Sequence, residues 1–380
     1  MSMQEIRTEI DRIDDELVEI FARRMNAVSK IAKVKAEGGT SVAHPDRERE
    51  IILRTTGQVP ENLSGYTRIL MNNLFDLSRS YQKQLMRDGE AELTRKIKAA
   101  VSDTTNVLPQ KARVACQGIA GAYSQLSCDK LFPMADIMYF KSFEGVFSAV
   151  EKGMCQYGML PIENSTYGAV SEVYDLLRSR DVYIVRGTKL QISHALLANG
   201  GAKMAGIKEI VSHEQAFGQC SEFIAAHPDI NITVCENTAT AARIVAESGR
   251  LDLASISSPE CAGLYELNIL DENVRNESGN YTRFICISRN MEVYPGADKM
   301  SLMLATEHRP GALYSIIAKL ASLGVNLSKL ESRPIPGRDF EFMFYLVLDA
   351  SVYSEEVLSL LGDMSEGSEM FRYLGAYSEV

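Results

Sequence analysis

The sequence predicts a multidomain chain: an all-α N-terminal domain, an α/β middle domain and a small α+β module after them. Three observations carry this. Apolar residues recur at spacings of three and four through the first 87 positions. From Arg113 onward, short β-like runs alternate with helical stretches. After a break at Tyr294–Asp298, the order strand-helix-strand-strand-helix-strand fits into fewer than 90 residues, as in a ferredoxin-like module.

The chain has 380 residues and a net charge of −10, enough for several cores and unsuited to a nucleic-acid surface. Its seven Cys form no CxxC pair and fit no metal spacing, so they read as free thiols in a reducing, cytoplasmic setting, with no metal and no cofactor expected. No signal peptide and no membrane-spanning run is expected.

The first helix is expected over residues 3–37. Ile6, Ile10, Ile13, Leu17, Ile20, Phe21, Val28, Ile31 and Val34 form its apolar stripe. Arg24 and Lys35 fall in that stripe, and Arg7 lies beside its start. Burying a bare charge costs several kcal/mol, so a partner is expected. Arg24 and Lys35 differ by about 20° in direction and lie about 16 Å apart, so both can reach one small anion. Arg7 is about 26 Å from Arg24 and about 100° away, so it can serve the same ligand only from a second subunit.

A second helix starts at Pro45 and presents Arg47 and Glu48. A third runs from about Glu61 to Arg87, with a stripe of Leu63, Ile69, Leu70, Leu74 and Leu77 continued by Ser80 and Gln84. No nucleophile sits beside an activating base in this set. Guanidinium groups hold carboxylates, and Lys and Gln donate to an oxygen that gains negative charge, which suits a pericyclic rearrangement. The alternative is ordinary surface salt bridging.

Ile6-Arg7, Arg23-Arg24, Lys33-Val34-Lys35, Asp46-Arg47-Glu48-Arg49 and Ser80–Gln84 resemble the all-helical chorismate mutase domain, with its spacing kept. The resemblance implies that Arg7, Arg24 and Arg47 bind the carboxylates of chorismate, and that Lys35 and Gln84 act on the ether oxygen. It puts Glu48 and Lys35 at the hydroxyl and Ser80 nearby. It also implies a domain-swapped homodimer. One departure is His44, where some members carry Asp.

Residues 91–110 read as a polar linker, partly helical around Glu90–Ala100. Strands are then expected at Arg113–Cys116, Tyr157–Pro161, Val182–Val185, His194–Leu197, Ile210–Ser212, Leu253–Ser257 and Phe284–Ser288. Helices are expected at Ala122–Leu131, Phe143–Lys152, Ala169–Ser179, Gln215–Ala226 and Ala239–Ser248. Pro161-Ile162-Glu163-Asn164-Ser165-Thr166 leaves a strand toward a helix, a good ligand edge or else an ordinary N-cap. No nucleophile elbow and no G-x-G-x-x-G run occurs.

Gly118–Ser124, Pro161–Thr166, Ser212-His213 with Gln219-Cys220, and Asn280–Phe284 resemble prephenate dehydratase over roughly residues 112–290. That family implies two α/β lobes, periplasmic-binding-protein-like, with prephenate in the cleft. It implies Thr282 as proton donor, Arg283 anchoring a carboxylate or ordering the strand, and Glu163, Asn164, Ser165, Thr166, Ser212, Gln219 and Phe284 around the substrate. Ala122 stands where the family has Thr, which removes a hydroxyl from that loop.

In the last module, a strand at Lys299–Ala305 leads through Arg309-Pro310-Gly311 to a helix at Ala312–Leu323. Strands at Asn326–Arg333 and Phe340–Asp349, a helix at Ser354–Asp363 and a strand at Tyr373–Tyr377 follow. Gly311 with Glu331-Ser332-Arg333-Pro334 resembles the ACT regulatory domain; alternatively these are a turn glycine and a strand exit. The resemblance implies phenylalanine as allosteric effector at Gly311, Ala312, Leu313, Asn326, Glu331, Ser332 and Arg333, with Tyr314 replacing the usual Val. The expected division is 1–90, 111–292 and 298–380. A ligand-binding regulator, or a helical domain serving only as a dimerisation arm, are the competing readings.

Overall fold

The computed structural model describes residues 2–38, 45–86, 89–276, 279–306, 310–338, 341–368 and 370–380; for 36–38, 45 and 367 it describes backbone only. His44, Arg87, Arg309 and Phe340 lie outside the described residues. The chain divides into two compact units.

The first unit is Met1–Arg95 with Glu307–Gly324 and Glu355–Glu369. Its helices are Met3–Gly38, Pro45–Thr56, Glu61–Met86, Ala312–Ser322 and Glu355–Gly367. The long first helix opens with a capping box: Glu5 N donates to Ser2 Oγ at 3.2 Å, and Ser2 N to Glu5 Oε2 at 2.6 Å. It packs along Glu61–Met86 only through its second half, where Val28, Ala32 and Lys35 are buried. The expected stripe is not covered within one chain, which corrects the sequence reading: Ile10 and Ile13 are 50% and 47% exposed, and Leu17, Ile20, Ile31 and Val34 are exposed too. On the third helix the buried positions are Phe75, Ser78 and Gln82, not Ser80 and Gln84.

The helix expected around Glu90–Ala100 within the linker is Glu92–Asp103, and it is packed rather than a free connection. Ala91, Thr94, Ile97 and Ala100 are buried at three-residue spacing, a stripe too narrow to stand out in a polar sequence. Thr94 Oγ1 donates to Leu358 O at 3.0 Å.

The second unit holds three sheets. The first runs Asp136–Phe140, Arg113–Gln117, Tyr157–Asn164, Tyr281–Ser288, Tyr183–Gln191, with Gly168–Ala169 beside Tyr157–Asn164. The second runs Asn268–Asp271, Ala195–Ala198, Leu253–Ser257, Glu209–Ser212, Asn231–Val234. The chain crosses between these two lobes at Ile192–His194 and again before Tyr281. Sequence reading missed Asp136–Phe140, Asn231–Val234 and Asn268–Asp271, edge strands with little burial and hence no clean alternation. The helix expected over Gln215–Ala226 is two, Glu214–Gln219 and Ser221–Ala225, broken at Cys220.

The third sheet is antiparallel in the order Asn326–Pro334, Phe342–Asp349, Lys299–Ala305, Phe371–Tyr377. Its Met303, Met343, Tyr345 and Leu374 share one core with Val173, Tyr174 and Leu177 of helix Ser171–Ser179. The final residues pair with strand Tyr183–Gln191: Gly187 N donates to Ser378 O at 2.9 Å and Lys189 N to Val380 O at 3.0 Å. Gly375, at φ 132°, permits this approach, because a Cβ there would stand 2.2 Å from Ile184 O.

Candidate functional site

In the helical unit Arg24 is half-buried. Its guanidinium donates to Leu74 O at 3.2 Å and to Ser78 Oγ, and burial lowers its pKa. Lys35 is buried at 9% exposure. Both basic groups of the stripe are thus drawn toward the inner face of the first helix. Glu48 pairs with Arg79, which also holds Asp76, and Ser315 Oγ donates to Asp76 Oδ2 at 2.8 Å. Arg47 turns to Glu50 at 2.6 Å on the surface. Ser80 Oγ is 3.4 Å from Asp363 Oδ2, while Gln84 and Arg7 are exposed. Sequence reasoning missed Ser78, Arg79 and Gln82. Their signal was the i,i+4 pair Ser78/Gln82 in register with Phe75.

In the two-lobed domain, strand alternation sorts the candidates. Thr282 pairs with Asn164 and Arg283 with Glu163 across adjacent strands, so the two pairs face opposite sides of the sheet. On one side Asn164 Nδ2 donates to Thr282 Oγ1 at 2.9 Å and to Asn280 Oδ1 at 2.8 Å. Asn164 Oδ1 accepts from the backbone N–H of Thr166 at 2.9 Å and Tyr167 at 3.0 Å. Those two amides fix which end of the side chain is oxygen. Asn164 is therefore the donor to Thr282, and the Thr282 hydrogen remains available to another acceptor.

Ser165 Oγ accepts from Tyr281 N at 2.9 Å and donates to Gly279 O at 3.3 Å, locking the turn to the neighbouring strand. Tyr167 Oη reaches Gln215 O at 3.3 Å, so this turn touches the helix that ends at Gln219. Gln219 Oε1 lies 2.6 Å from His194 Nε2 at the crossover between lobes. His213 caps the same helix, its Nδ1 accepting from Gln215 N at 3.3 Å. Burial pushes the Cys220 thiol up to about 12, which leaves it protonated at neutral pH.

On the other side Arg283 pairs with Glu163 at 2.9 Å and with Glu379, and Lys329 pairs with Glu163 and Glu331. These groups border a small cavity with Tyr174, Tyr345 and Tyr377, wide enough for a few waters. Glu163 and Arg283 are therefore turned away from Thr282, and Arg283 orders the strand. Two further expectations need correction. Phe284 is buried among Met159, Tyr157 and Cys286 as a core residue. Ser212 is fully buried and donates to Ile256 O at 2.6 Å, inside the second sheet. Phe284 lies farther along the strand than Thr282, and Ser212 ends a strand whose Ile210, Val211 and Ser212 are all buried.

In the last module, Gly311 at φ 83° precedes helix Ala312–Ser322, with Ala312 buried and Leu313 half-buried. Asn326 Nδ2 donates to Asp349 Oδ2 at 2.6 Å. Arg333 is held by Asp175 at 2.8 Å and by Ser171 at 3.0 Å, beside Ser332 on an edge strand. All seven Cys are free. Among the described residues no group of His, Cys, Asp and Glu could hold a metal, and no helix is long and apolar enough to cross a membrane.

Comparison with known proteins matches residues 6–83 to chorismate mutase type II and residues 114–292 to prephenate dehydratase. The bifunctional chorismate mutase/prephenate dehydratase of Escherichia coli is 30% identical, over 98% of this chain and 95% of its own length. A prephenate dehydratase from Arthrobacter aurescens, solved with L-Phe, is 28% identical with TM-score 0.64, covering 70% of this chain and 89% of that one. GqqA, described as a novel type of quorum quenching acylase, is 31% identical with TM-score 0.64, covering 70% of this chain and 98% of that one.

Proposed function

The chain belongs to the bifunctional chorismate mutase/prephenate dehydratase family, and from that premise we propose how its own residues carry the two reactions. The first is the rearrangement of chorismate to prephenate. The second removes water and carbon dioxide from prephenate and leaves phenylpyruvate, the precursor of phenylalanine.

The mutase site uses Arg24 and Lys35 from one helix, Arg47, Glu48, Ser80 and Gln84 from the next two, and Arg7 from a second copy. Arg7, Arg24 and Arg47 bind the carboxylates, and Lys35 and Gln84 stabilise the charge that builds on the ether oxygen. The uncovered stripe from Ile10 to Ile20 supports this reading, since a second first helix laid against it would bury that face and deliver Arg7.

The dehydratase site uses Thr282. The leaving hydroxyl needs a hydrogen as its C–O bond breaks and the carboxylate departs as carbon dioxide. The orientation of Asn164 carries the assignment: Asn164 gives a hydrogen to Thr282, so Thr282 can give its own to the leaving oxygen. Asn164, Thr166 and Gln219 surround the substrate, and Arg283 with Glu163 holds the strand from behind. Residues 1–90, 111–292 and 298–380 are the functional division. The third part is read as a ferredoxin-like ACT module, a reading that its strand-helix-strand-strand-helix-strand order and four-stranded antiparallel sheet support. It takes phenylalanine, which lowers dehydratase velocity. The seven free thiols suit a cytoplasmic home.

The test is a product assay on chorismate with Lys35→Ala and Thr282→Ala. Lys35→Ala should stop chorismate consumption, and Thr282→Ala should let prephenate accumulate. An unchanged mutase rate in Lys35→Ala would sink the first assignment.

A further inference from the structure

We propose that His194 is a positioning residue for the dehydratase site: it fixes the Gln219 side-chain amide with the oxygen toward the imidazole and the NH2 group toward the substrate. This deepens the dehydratase reading and rests on it. His194 sits at the first crossover between the lobes and is 3% exposed. Its Nε2 is 2.6 Å from Gln219 Oε1. Its Nδ1 is enclosed and has no partner among the described residues. A proton on Nδ1 would be buried without an acceptor, so the hydrogen resides on Nε2 and is donated to Gln219. Burial, with Arg275 acting in the same direction, lowers the imidazole pKa and keeps the ring neutral.

The crossover itself is tied down on both sides. Tyr123 Oη donates to Ser193 O, and Arg275 Nη1 donates to Ser193 Oγ at 3.2 Å. Ile192 N donates to Asn280 O at 2.9 Å, and Asn280 is the residue that shares Asn164 with Thr282. The backbone of Gln219 is held by Asn276 N at 2.9 Å. Among the described residues, the one hydrogen bond on the Gln219 side chain is the one to His194, which sets how its terminal amide is turned. A half-turn would exchange oxygen for NH2 and set a carbonyl against an anionic substrate. The His194 hydrogen bond forbids that half-turn. Because it comes from the crossover, it also registers the second lobe against the Thr282 side of the first.

The experiment uses the full chain with His194→Leu, His194→Gln and Gln219→Ala, alone and combined. kcat and KM are measured for prephenate, and imidazole 15N shifts are recorded with labelled histidine; only five His are present. His194→Leu should lower kcat/KM about tenfold, and His194→Gln, which keeps an N–H donor, should recover most of that. In the Gln219→Ala background, His194→Leu should add nothing. The shifts should report the Nε2–H tautomer in the parent chain and a changed environment in Gln219→Ala. An additive loss in the double variant, equal losses for Leu and Gln, or the Nδ1–H tautomer would overturn the proposal. If the parent chain leaves prephenate untouched, the dehydratase reading fails, and the tautomer then decides only whether His194 orients the Gln219 amide.

Discussion

Replacing Asn164 by Asp tests the donor logic of the dehydratase site with almost no change in shape. The carboxylate keeps both acceptor bonds, from the amides of Thr166 and Tyr167. It loses the donor that served Thr282 at 2.9 Å and Asn280 at 2.8 Å. Losing two neutral hydrogen bonds at about 1 kcal/mol each removes about 2 kcal/mol of stability. Part of that returns, because Thr282 can now donate to the carboxylate. That reversal is the point of the substitution: the Thr282 hydrogen is consumed by position 164 and is no longer available to the leaving oxygen. A hydrogen bond to a developing charge contributes about 1.5–3 kcal/mol, so kcat for phenylpyruvate formation should fall about 10- to 150-fold. Mutase turnover should persist, and the urea midpoint should move little. Unchanged kcat with prephenate would refute the idea that Asn164 directs the Thr282 hydrogen.

Three further outcomes follow from the same structure. Gly375→Ala places a Cβ 2.2 Å from Ile184 O at a φ of 132°, so it should cost several kcal/mol and lower the urea midpoint sharply. Ile10→Asp with Ile13→Asp on the uncovered face of the first helix should yield monomers by sedimentation and abolish mutase turnover while sparing prephenate consumption. Burial lowers the His194 pKa below its unfolded value, so the unfolded chain binds more protons in acid. That contribution to stability is complete above the ordinary histidine pKa of about 6.5 and fades as pH falls through the folded value. Urea melts at pH 7 and pH 5.5 should show the slope, and His194→Gln should flatten it.

Much of this was legible in the sequence because it lies in local pattern. The strand at Lys299–Ala305 and the helix at Thr238–Ser248 fall where alternation and helical spacing put them. Asn164 and Thr282 stand 118 positions apart, yet their motifs drew both to one site. What local pattern could not supply was facing. Arg283 adjoins Thr282 in sequence, but a strand turns successive side chains to opposite sides; Phe284 shares the Thr282 face and is buried in the core farther along the strand. Gln219 stood in a motif, but nothing local pairs it with His194, since their hydrogen bond joins a crossover to a helix end. The stripe of the first helix was read correctly as apolar, but one chain does not cover it. A pattern that records burial in an assembly cannot say which copy does the burying.

The central claim is that one chain carries two successive reactions in two separable sites. Incubation with chorismate, with products followed over time, tests it most directly. The parent chain should convert chorismate through transient prephenate to phenylpyruvate, and Thr282→Ala should stop at prephenate. Chorismate left unchanged by the parent chain, or loss of both activities in a folded Thr282→Ala variant, would contradict the account.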